Sequence, residues 1–129
     1  MKKVLFIALI LSLFACKKNE GPGGQASVQG KIYVRDYNDS FTQLLDEHYA
    51  MEQRVYIMYG EDEIYSDEMR TNFDGSFKFD YLEKGKYTIF VYSKDSTFTV
   101  PGGKEPLFIE FEIADKKEAV DLDVITILD

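Results

Sequence analysis

Few residues of this 129-residue chain have side chains suited to nucleophilic or acid–base chemistry. The chain contains one His, His48, and one Cys, Cys16. A Ser–His–Asp apparatus needs a His that one group orients and that contacts another, and a single His argues against a zinc site. One Cys excludes a disulfide framework within the chain. We therefore expect no catalytic residue and keep a small hydrolase based on His48 only as an alternative.

Five carboxylate side chains lie within one short stretch of the chain. They are Glu61, Asp62, Glu63, Asp67 and Glu68. Carboxylate oxygens are the ligands that calcium prefers. However, the nearby Asn72-Phe73-Asp74-Gly75 is only a fragment of a calcium loop, and Tyr81 stands where the final Glu of such a loop would fall. We expect a solvated acidic sheet edge that deters strand pairing, with no metal ion or cofactor.

Aromatic side chains recur on the polar side of several candidate strands. They are Tyr33, Tyr56, Phe90, Tyr92 and Phe108. If exposed together, they would suit binding of a glycan or a protein. The plainer expectation is that an insertion or a sheet edge covers them.

The overall charge argues against a nucleic-acid partner. The chain has 15 Lys and Arg residues against 23 Asp and Glu residues, a net charge of −8. Binding to nucleic acid requires clustered basic residues, so we expect no nucleic-acid partner. With 45% hydrophobic and 15% aromatic residues, the chain has enough apolar material for a folded domain.

The first fifteen residues have the pattern of a targeting segment. Lys2 and Lys3 precede an almost uninterrupted apolar stretch over residues 4–15. As a helix this stretch would reach about 18 Å, which is short of the roughly 30 Å hydrocarbon core of a bilayer. The pattern predicts a secretory signal peptide over residues 1–15.

The end of this segment, Leu13-Phe14-Ala15-Cys16, resembles the lipobox of bacterial lipoproteins. The resemblance implies attachment of diacylglycerol to the Cys16 sulfur, cleavage after Ala15 and acylation of the new amino terminus. Two or more acyl chains make a durable anchor, whereas one binds only marginally. By the sorting rules of that family, Lys17 implies the outer membrane, in either leaflet.

The following residues predict a boundary between anchor and domain. Residues 16–25 are polar and rich in Gly, as in a flexible tether, and we place the domain at residues 26–129. Loss of Lys2 and Lys3 would leave 13 basic and 23 acidic residues, a net charge of −10.

The domain shows apolar–polar alternation with a period of two, which is typical of antiparallel sheets with one buried face. The alternating segments are residues 28–35, 54–59, 64–70, 76–81, 87–91, 97–100, 107–113 and 120–124. Turn residues such as Asp74-Gly75, a hairpin signal, separate them. We predict an all-β fold, an antiparallel β-sandwich of about seven strands.

One segment interrupts the alternation. Residues 36–53 contain Ser40-Phe41-Thr42-Gln43, which resembles a helix capping box, and apolar residues follow at helical spacing. We predict a short helical insertion near residues 40–50. It would cover an open end or face of the sandwich, or serve as a functional lid.

The segment Thr71-Asn72-Phe73-Asp74-Gly75-Ser76-Phe77, continuing as Leu82-x-x-Gly85-x-Tyr87-x-Ile89, resembles the carboxypeptidase-regulatory-like, transthyretin-like domains. This resemblance covers roughly residues 27–93 and implies an immunoglobulin- or transthyretin-like sandwich. It implies that Phe77 is in the core and that Tyr87 forms a tyrosine corner, with its hydroxyl bonded to backbone. It implies almost nothing about function.

Together these patterns predict a lipid-anchored envelope lipoprotein that acts as a non-catalytic binding or structural accessory module. Its partners would be the membrane, through the anchor, and an envelope protein or glycan; the oligomeric state stays open. The alternatives are a fimbria- or adhesion-associated surface subunit that exchanges a strand, and the small hydrolase.

Overall fold

The structure is a computed structural model that describes residues 19–129. The predicted signal peptide and Cys16 lie outside the described residues. The described part of the chain forms eight strands and no helix. In chain order they are β1 (Pro22–Tyr37), β2 (Leu44–Tyr49), β3 (Arg54–Tyr59), β4 (Asp67–Arg70), β5 (Ser76–Leu82), β6 (Gly85–Lys94), β7 (Lys104–Ile113) and β8 (Ala119–Leu128).

The strands form two four-stranded sheets. In the first sheet, β5 pairs with the first half of β1 and β2 with its second half, while β8 pairs along the opposite side of β1. The second sheet has the order β4-β3-β6-β7 and is antiparallel throughout. The β1–β8 pair is parallel, which differs from the purely antiparallel sandwich predicted from alternation.

The core lies between the two sheets and takes alternate residues from both, which places the fold among the β-sandwiches. Phe77 on β5 is 1% exposed, so its predicted place in the core is confirmed. The buried apolar residues are Ala26, Val28, Ile32, Val34, Ala50, Val55, Ile57, Phe77, Phe79, Leu82, Tyr87, Ile89, Val91, Ile113, Ile125 and Ile127.

Tyr87 holds the crossing from the first sheet to the second, between β5 and β6. Its buried hydroxyl donates to the Glu83 carbonyl at 2.6 Å and accepts from the Gly21 amide at 2.9 Å. Burial raises the pKa of this hydroxyl. The predicted hydrogen bond from Tyr87 to backbone is confirmed, and the same hydroxyl also fastens the start of the described chain.

The crossing between β4 and β5 requires Gly75. Its φ is +80°, and a Cβ there would lie 2.6 Å from the Ile32 carbonyl oxygen. The Asp74 carboxylate accepts hydrogen bonds from the amide and the hydroxyl of Ser76 at 3.0 and 2.6 Å, which lower the pKa of Asp74. Asp74-Gly75 therefore forms a tight turn, but it joins strands of different sheets and not the predicted hairpin.

The predicted helix over residues 40–50 is wrong. The Asn38 side-chain oxygen accepts hydrogen bonds from the amides of Thr42 and Gln43 at 2.9 and 3.0 Å, which close a turn after β1. The chain then returns as β2, whose six residues are all exposed. Backbone hydrogen bonds to the second half of β1 hold this segment as a strand.

The predicted strand over residues 97–100 is a loop. The buried Asp95 carboxylate accepts hydrogen bonds from the amides of Thr97, Thr99 and Val100 at 2.9, 2.7 and 2.8 Å, and from the Thr97 hydroxyl. These bonds hold the pKa of Asp95 well below its ordinary value. They shape the connection between β6 and β7.

Strand β8 changes its inward face halfway along. Leu122 packs against the core, but Val124 is 49% exposed and Ile125 is buried. The pairing with β1 shifts register here, and Asp123 has a φ of +59°, so the strand contains a bulge. The predicted placement of Val124 on the buried face is wrong for this reason.

The domain begins earlier than predicted. Strand β1 starts at Pro22, and the Gly21 carbonyl accepts a hydrogen bond from the Glu83 amide at 2.8 Å. Residues 21–25, assigned to the flexible tether, therefore belong to the folded domain.

Candidate functional site

His48 lies on the edge strand β2. Its Nδ1 is 3.3 Å from Asp46 Oδ2, and its side chain is 54% exposed. An exposed His–Asp contact lacks the excluded water and the oriented nucleophile that triad chemistry needs. The geometry gives no argument for catalysis at His48.

The predicted acidic residues spread along the loop before β4 and along β4 itself, and all five are exposed. Asp62 accepts a hydrogen bond from the Ser66 hydroxyl at 3.0 Å, and Asp67 accepts one from the Glu68 amide at 2.8 Å. Among residues 19–129, no three His, Cys, Asp or Glu side chains come close enough to share a metal ion. Their charge lies along a free sheet edge.

Strand register brings four of the five predicted aromatic residues onto one face of the second sheet. Tyr56 on β3 lies opposite Phe90 on β6, and Phe90 lies opposite Phe108 on β7. Tyr92 follows Phe90 by two residues and shares its face. This face points away from the core, because the intervening residues of β3 and β6 are buried.

The rings contact one another in a row across the strands. Tyr56 and Phe90 stack with centroids 4.8 Å apart and planes 9° apart. Tyr92 meets both rings edge-on, at 5.8 and 5.9 Å, and Phe108 lies 5.6 Å from Phe90. Tyr65 extends the row at 5.0 Å from Tyr56. Each such pair contributes about 0.5–1.5 kcal/mol beyond its buried area, so the row is held together by its own contacts.

We call Tyr56, Tyr65, Phe90, Tyr92 and Phe108 the aromatic face. Phe90 is only 7% exposed, but Tyr92 is 44%, Tyr65 47% and Phe108 56% exposed. The segment expected to cover the predicted aromatic residues forms β2 in the other sheet, so the expectation that they are covered is wrong for Tyr92 and Phe108. Contiguous exposed apolar side chains of this size mark interaction surfaces.

Sequence reasoning missed Tyr65 and misplaced Tyr33. Tyr65 lies in the loop before β4, where no alternation indicates which way a side chain points. Tyr33 lies on the outer face of the first sheet, where its ring contacts Tyr49 at 5.1 Å. Burial is the largest cause that raises the pKa of the Tyr33 hydroxyl, followed by the charge of Glu47. Tyr33 is therefore not part of the aromatic face.

Three basic residues lie beside the rings on the same sheet face. Arg54, Arg70 and Lys104 lie toward the end of the sandwich where β1 ends; we call them the basic flank. Glu68 lies two residues before Arg70, and toward the opposite end Glu112 on β7 lies opposite Lys86 on β6. No carboxylate of residues 19–129 lies within 4.0 Å of a basic-flank nitrogen. The basic flank therefore has no ion-pair partner within the described residues.

Within residues 19–129, no helix is long and apolar enough to cross a bilayer. No protein-family model matches the chain, and no curated protein matches it. Among solved structures, the chain is similar to one described as the crystal structure of (S)-allantoin synthase, with a TM-score of 0.42 and 13% sequence identity. The match covers 81% of this chain and 42% of the other, so this chain spans less than half the length of that protein.

Proposed function

We propose that the protein is a lipid-anchored envelope lipoprotein that acts as a non-catalytic binding or accessory module, and that it binds its partner through the aromatic face. The observation that carries the proposal is the contiguous row of rings from Tyr65 to Phe108, with Tyr92 beside it and three of the five side chains substantially exposed. Tyr is among the residues enriched at the centres of protein interfaces.

The anchor part of the proposal rests on the lipobox-like Leu13-Phe14-Ala15-Cys16. Lys17 supports the outer membrane as its destination, by the sorting rules of bacterial lipoproteins. From Cys16 to Glu20 the chain reaches about 14 Å at most, and Gly21 is already hydrogen-bonded into the domain. A lipid on Cys16 would therefore keep the domain close to the membrane surface and leave little slack.

The finer fold that we propose is an immunoglobulin- or transthyretin-like sandwich of the carboxypeptidase-regulatory-like type. The motif residues behave as that resemblance implies: Phe77 packs in the core, and the Tyr87 hydroxyl bonds the Glu83 carbonyl at a crossing between sheets. These two features support the fold assignment and say nothing about the ligand.

The free strand edges are weaker candidates for binding than the aromatic face. Among residues 19–129, β4, β7 and β8 are edge strands, and β2 and β5 each pair only with β1. Strand β4 is four residues long and begins with two acids, Pro106 lies on β7, and the bulge at Asp123 distorts β8. Short length, charge, proline and bulges are features that protect an edge from strand addition. A strand-exchanging fimbrial subunit is therefore the less favoured alternative.

The anchor is tested by replacing Cys16. Cys16→Ser should abolish metabolic labelling with a radioactive or clickable fatty acid and leave a soluble or unprocessed form, because the acceptor sulfur is gone. The matched control is Phe14→Ala, which brings in a small residue at a lipobox position that accepts one, so labelling should persist. Wild-type detergent partitioning of Cys16→Ser, together with a mature wild-type protein that does not begin at Cys16, would refute the anchor.

The binding face is tested by placing the photocrosslinking residue p-benzoylphenylalanine at Phe108 in one strain and at Lys78, on the outer face of the first sheet, in another. Both positions are exposed, so the two full-length proteins differ in the face that carries the probe. Adducts should form from Phe108 and not from Lys78. Adducts from Lys78 alone would place the contact on the wrong sheet.

A further inference from the structure

The basic flank is unusual for a chain with a net charge of −8. Arg54 on β3 lies directly opposite Arg70 on β4, and both side chains are exposed. Like charges directly opposite each other in an antiparallel pair destabilise it by a few tenths of a kcal/mol to about 1 kcal/mol. The chain has 23 acidic residues, but none of those described lies within 4.0 Å of a nitrogen of either arginine.

The neighbouring carboxylate does not neutralise the pair. Glu68 lies on the same face as Arg70, two residues earlier on β4 and opposite Tyr56. It forms no ion pair with either arginine. The Arg54–Arg70 pair thus offers a place where an external carboxylate would gain two charge-assisted hydrogen bonds.

The exposed rings beside the arginines carry hydrogen-bonding groups. Tyr56 and Phe90 stack face to face, so the ring faces between them are not open to a ligand. The exposed rings are Tyr65, Tyr92 and Phe108. Two of these three are tyrosines, whose hydroxyls can donate hydrogen bonds to carbonyl and carboxylate oxygens.

We propose that the partner is a protein with an acidic contact surface, whose apolar side chains pack on the aromatic face and whose Asp or Glu side chains pair with Arg54 and Arg70. This inference rests on the proposed binding function of that face. Tyrosine and arginine are both enriched among the residues that contribute most to protein–protein binding, and complementary charges across an interface favour the correct partner.

A second copy of the chain is the other occupant to consider. If two faces packed with their strands parallel, both basic flanks would lie at the same level and repel each other. If they packed antiparallel, the two flanks would lie apart, so the mass of the adduct in the test below distinguishes a second copy from another protein.

The test uses the full chain with p-benzoylphenylalanine at Phe108 in intact cells, in two charge backgrounds. Arg54→Glu/Arg70→Glu reverses the proposed contact. Lys31→Glu/Lys78→Glu makes the same change in net charge on the outer face of the first sheet. We expect a discrete, protease-sensitive adduct that falls at least about tenfold in the first background and is unchanged in the second. Melting temperatures check that each variant folds.

Each other result overturns the inference. An adduct of undiminished yield in Arg54→Glu/Arg70→Glu would exclude the acidic contact while leaving the binding face in place. An adduct with the mass of two copies would identify a second copy, and a protease-resistant ladder removed by glycosidases would identify a glycan. Absence of any adduct from Phe108 would remove the proposed function together with the inference.

Discussion

The two outer faces of the sandwich are built from the same strand alternation but meet solvent differently. On the first sheet, basic residues have partners: Arg35 lies 3.4 Å from Glu47, and Lys78 lies 3.3 Å from Asp80. On the second sheet, large rings are exposed, and no carboxylate of residues 19–129 lies within 4.0 Å of Arg54 or Arg70, which face each other. The first face also exposes Tyr49 and Val124, but its cations have carboxylate partners. The second face combines a contiguous row of exposed rings with cations that have no ion-pair partner in the described chain.

This difference teaches how to recognise a binding surface in a domain without a deep pocket. Exposed ion pairs contribute little to stability, about 0–1 kcal/mol each, but they show that a face tolerates water. A face that lacks them and carries contiguous rings keeps its interaction capacity for another molecule. The comparison can be tested by mutations on each face.

The largest expected effect tests whether both faces rest on one core. Phe77→Ala should lower the free energy of unfolding by about 3–5 kcal/mol, because it leaves a cavity between the sheets. Phe73→Ala, at a side chain that is 84% exposed, should change it by less than about 0.5 kcal/mol. Denaturant unfolding followed by circular dichroism gives both values. A loss under about 1 kcal/mol for Phe77→Ala would contradict a shared core.

The next effect compares the loss of stability when a ring is removed from the aromatic face with the loss when one is removed from the Tyr33–Tyr49 pair on the first sheet. Phe90→Ala should cost about 2–3 kcal/mol, because Phe90 is nearly buried and contacts three other rings. Tyr33→Ala on the first sheet should cost about 1 kcal/mol, since it loses one ring contact with Tyr49. The same denaturant titrations measure both changes. Equal losses would mean that the aromatic face has no packing of its own.

Replacing an arginine by glutamate should change the free energy of unfolding by a smaller amount, with opposite signs on the two faces. Arg70→Glu should raise the free energy of unfolding by about 0.5 kcal/mol, because it replaces repulsion of Arg54 by attraction. Arg35→Glu should lower it by about 0.5–1 kcal/mol, because it places two acids opposite each other at Glu47. The comparison is best made at low salt, where surface charge effects are least screened. Destabilisation by Arg70→Glu would indicate that the arginine pair is satisfied within the chain.

A further effect, on acid sensitivity, is expected in the loop that joins β6 to β7. Hydrogen bonds lower the pKa of Asp95, so its carboxylate stabilises the fold above the ordinary carboxyl pKa near 4. This stabilisation is lost as the pH falls from there through the lowered pKa of the folded state. Asp95→Asn should therefore flatten the decline of stability below pH 4. Melting temperatures measured between pH 2 and 7 test this, and an unchanged slope would show that Asp95 is not responsible.

Much of the fold followed from local alternation, because a period of two determines which side chains enter the core. Phe77 and Tyr87 could be placed from their motif, and the clustering candidates Tyr56, Phe90 and Phe108 from alternation. Alternation does not say which strands pair, so it could not place Tyr33 on a different sheet or reveal that β1 and β8 run parallel. It also fails where one residue is inserted, as at Asp123. After that bulge the buried positions are odd-numbered, whereas before it they are even-numbered.

The failure at residues 40–50 has another cause. Helical spacing of apolar residues predicts a helix only if a surface is available to bury that stripe. Here the edge of β1 offers backbone hydrogen bonds instead, and Asn38 turns the chain back toward them. Tyr65 was not predicted for a similar reason, since a loop residue acquires its position from the strands on either side and not from its own neighbours in sequence.

The parallel pairing of β1 and β8 has a mechanical consequence. β1 begins at one end of the sandwich, and the last residue, Asp129, lies at the other end, where its amide bonds the Arg35 carbonyl at 3.0 Å. Opposite pulls on the start of β1 and the end of β8 would therefore slide the two strands past each other along their length. In that geometry the hydrogen bonds of the pair are loaded together, whereas unzipping would load them one after another.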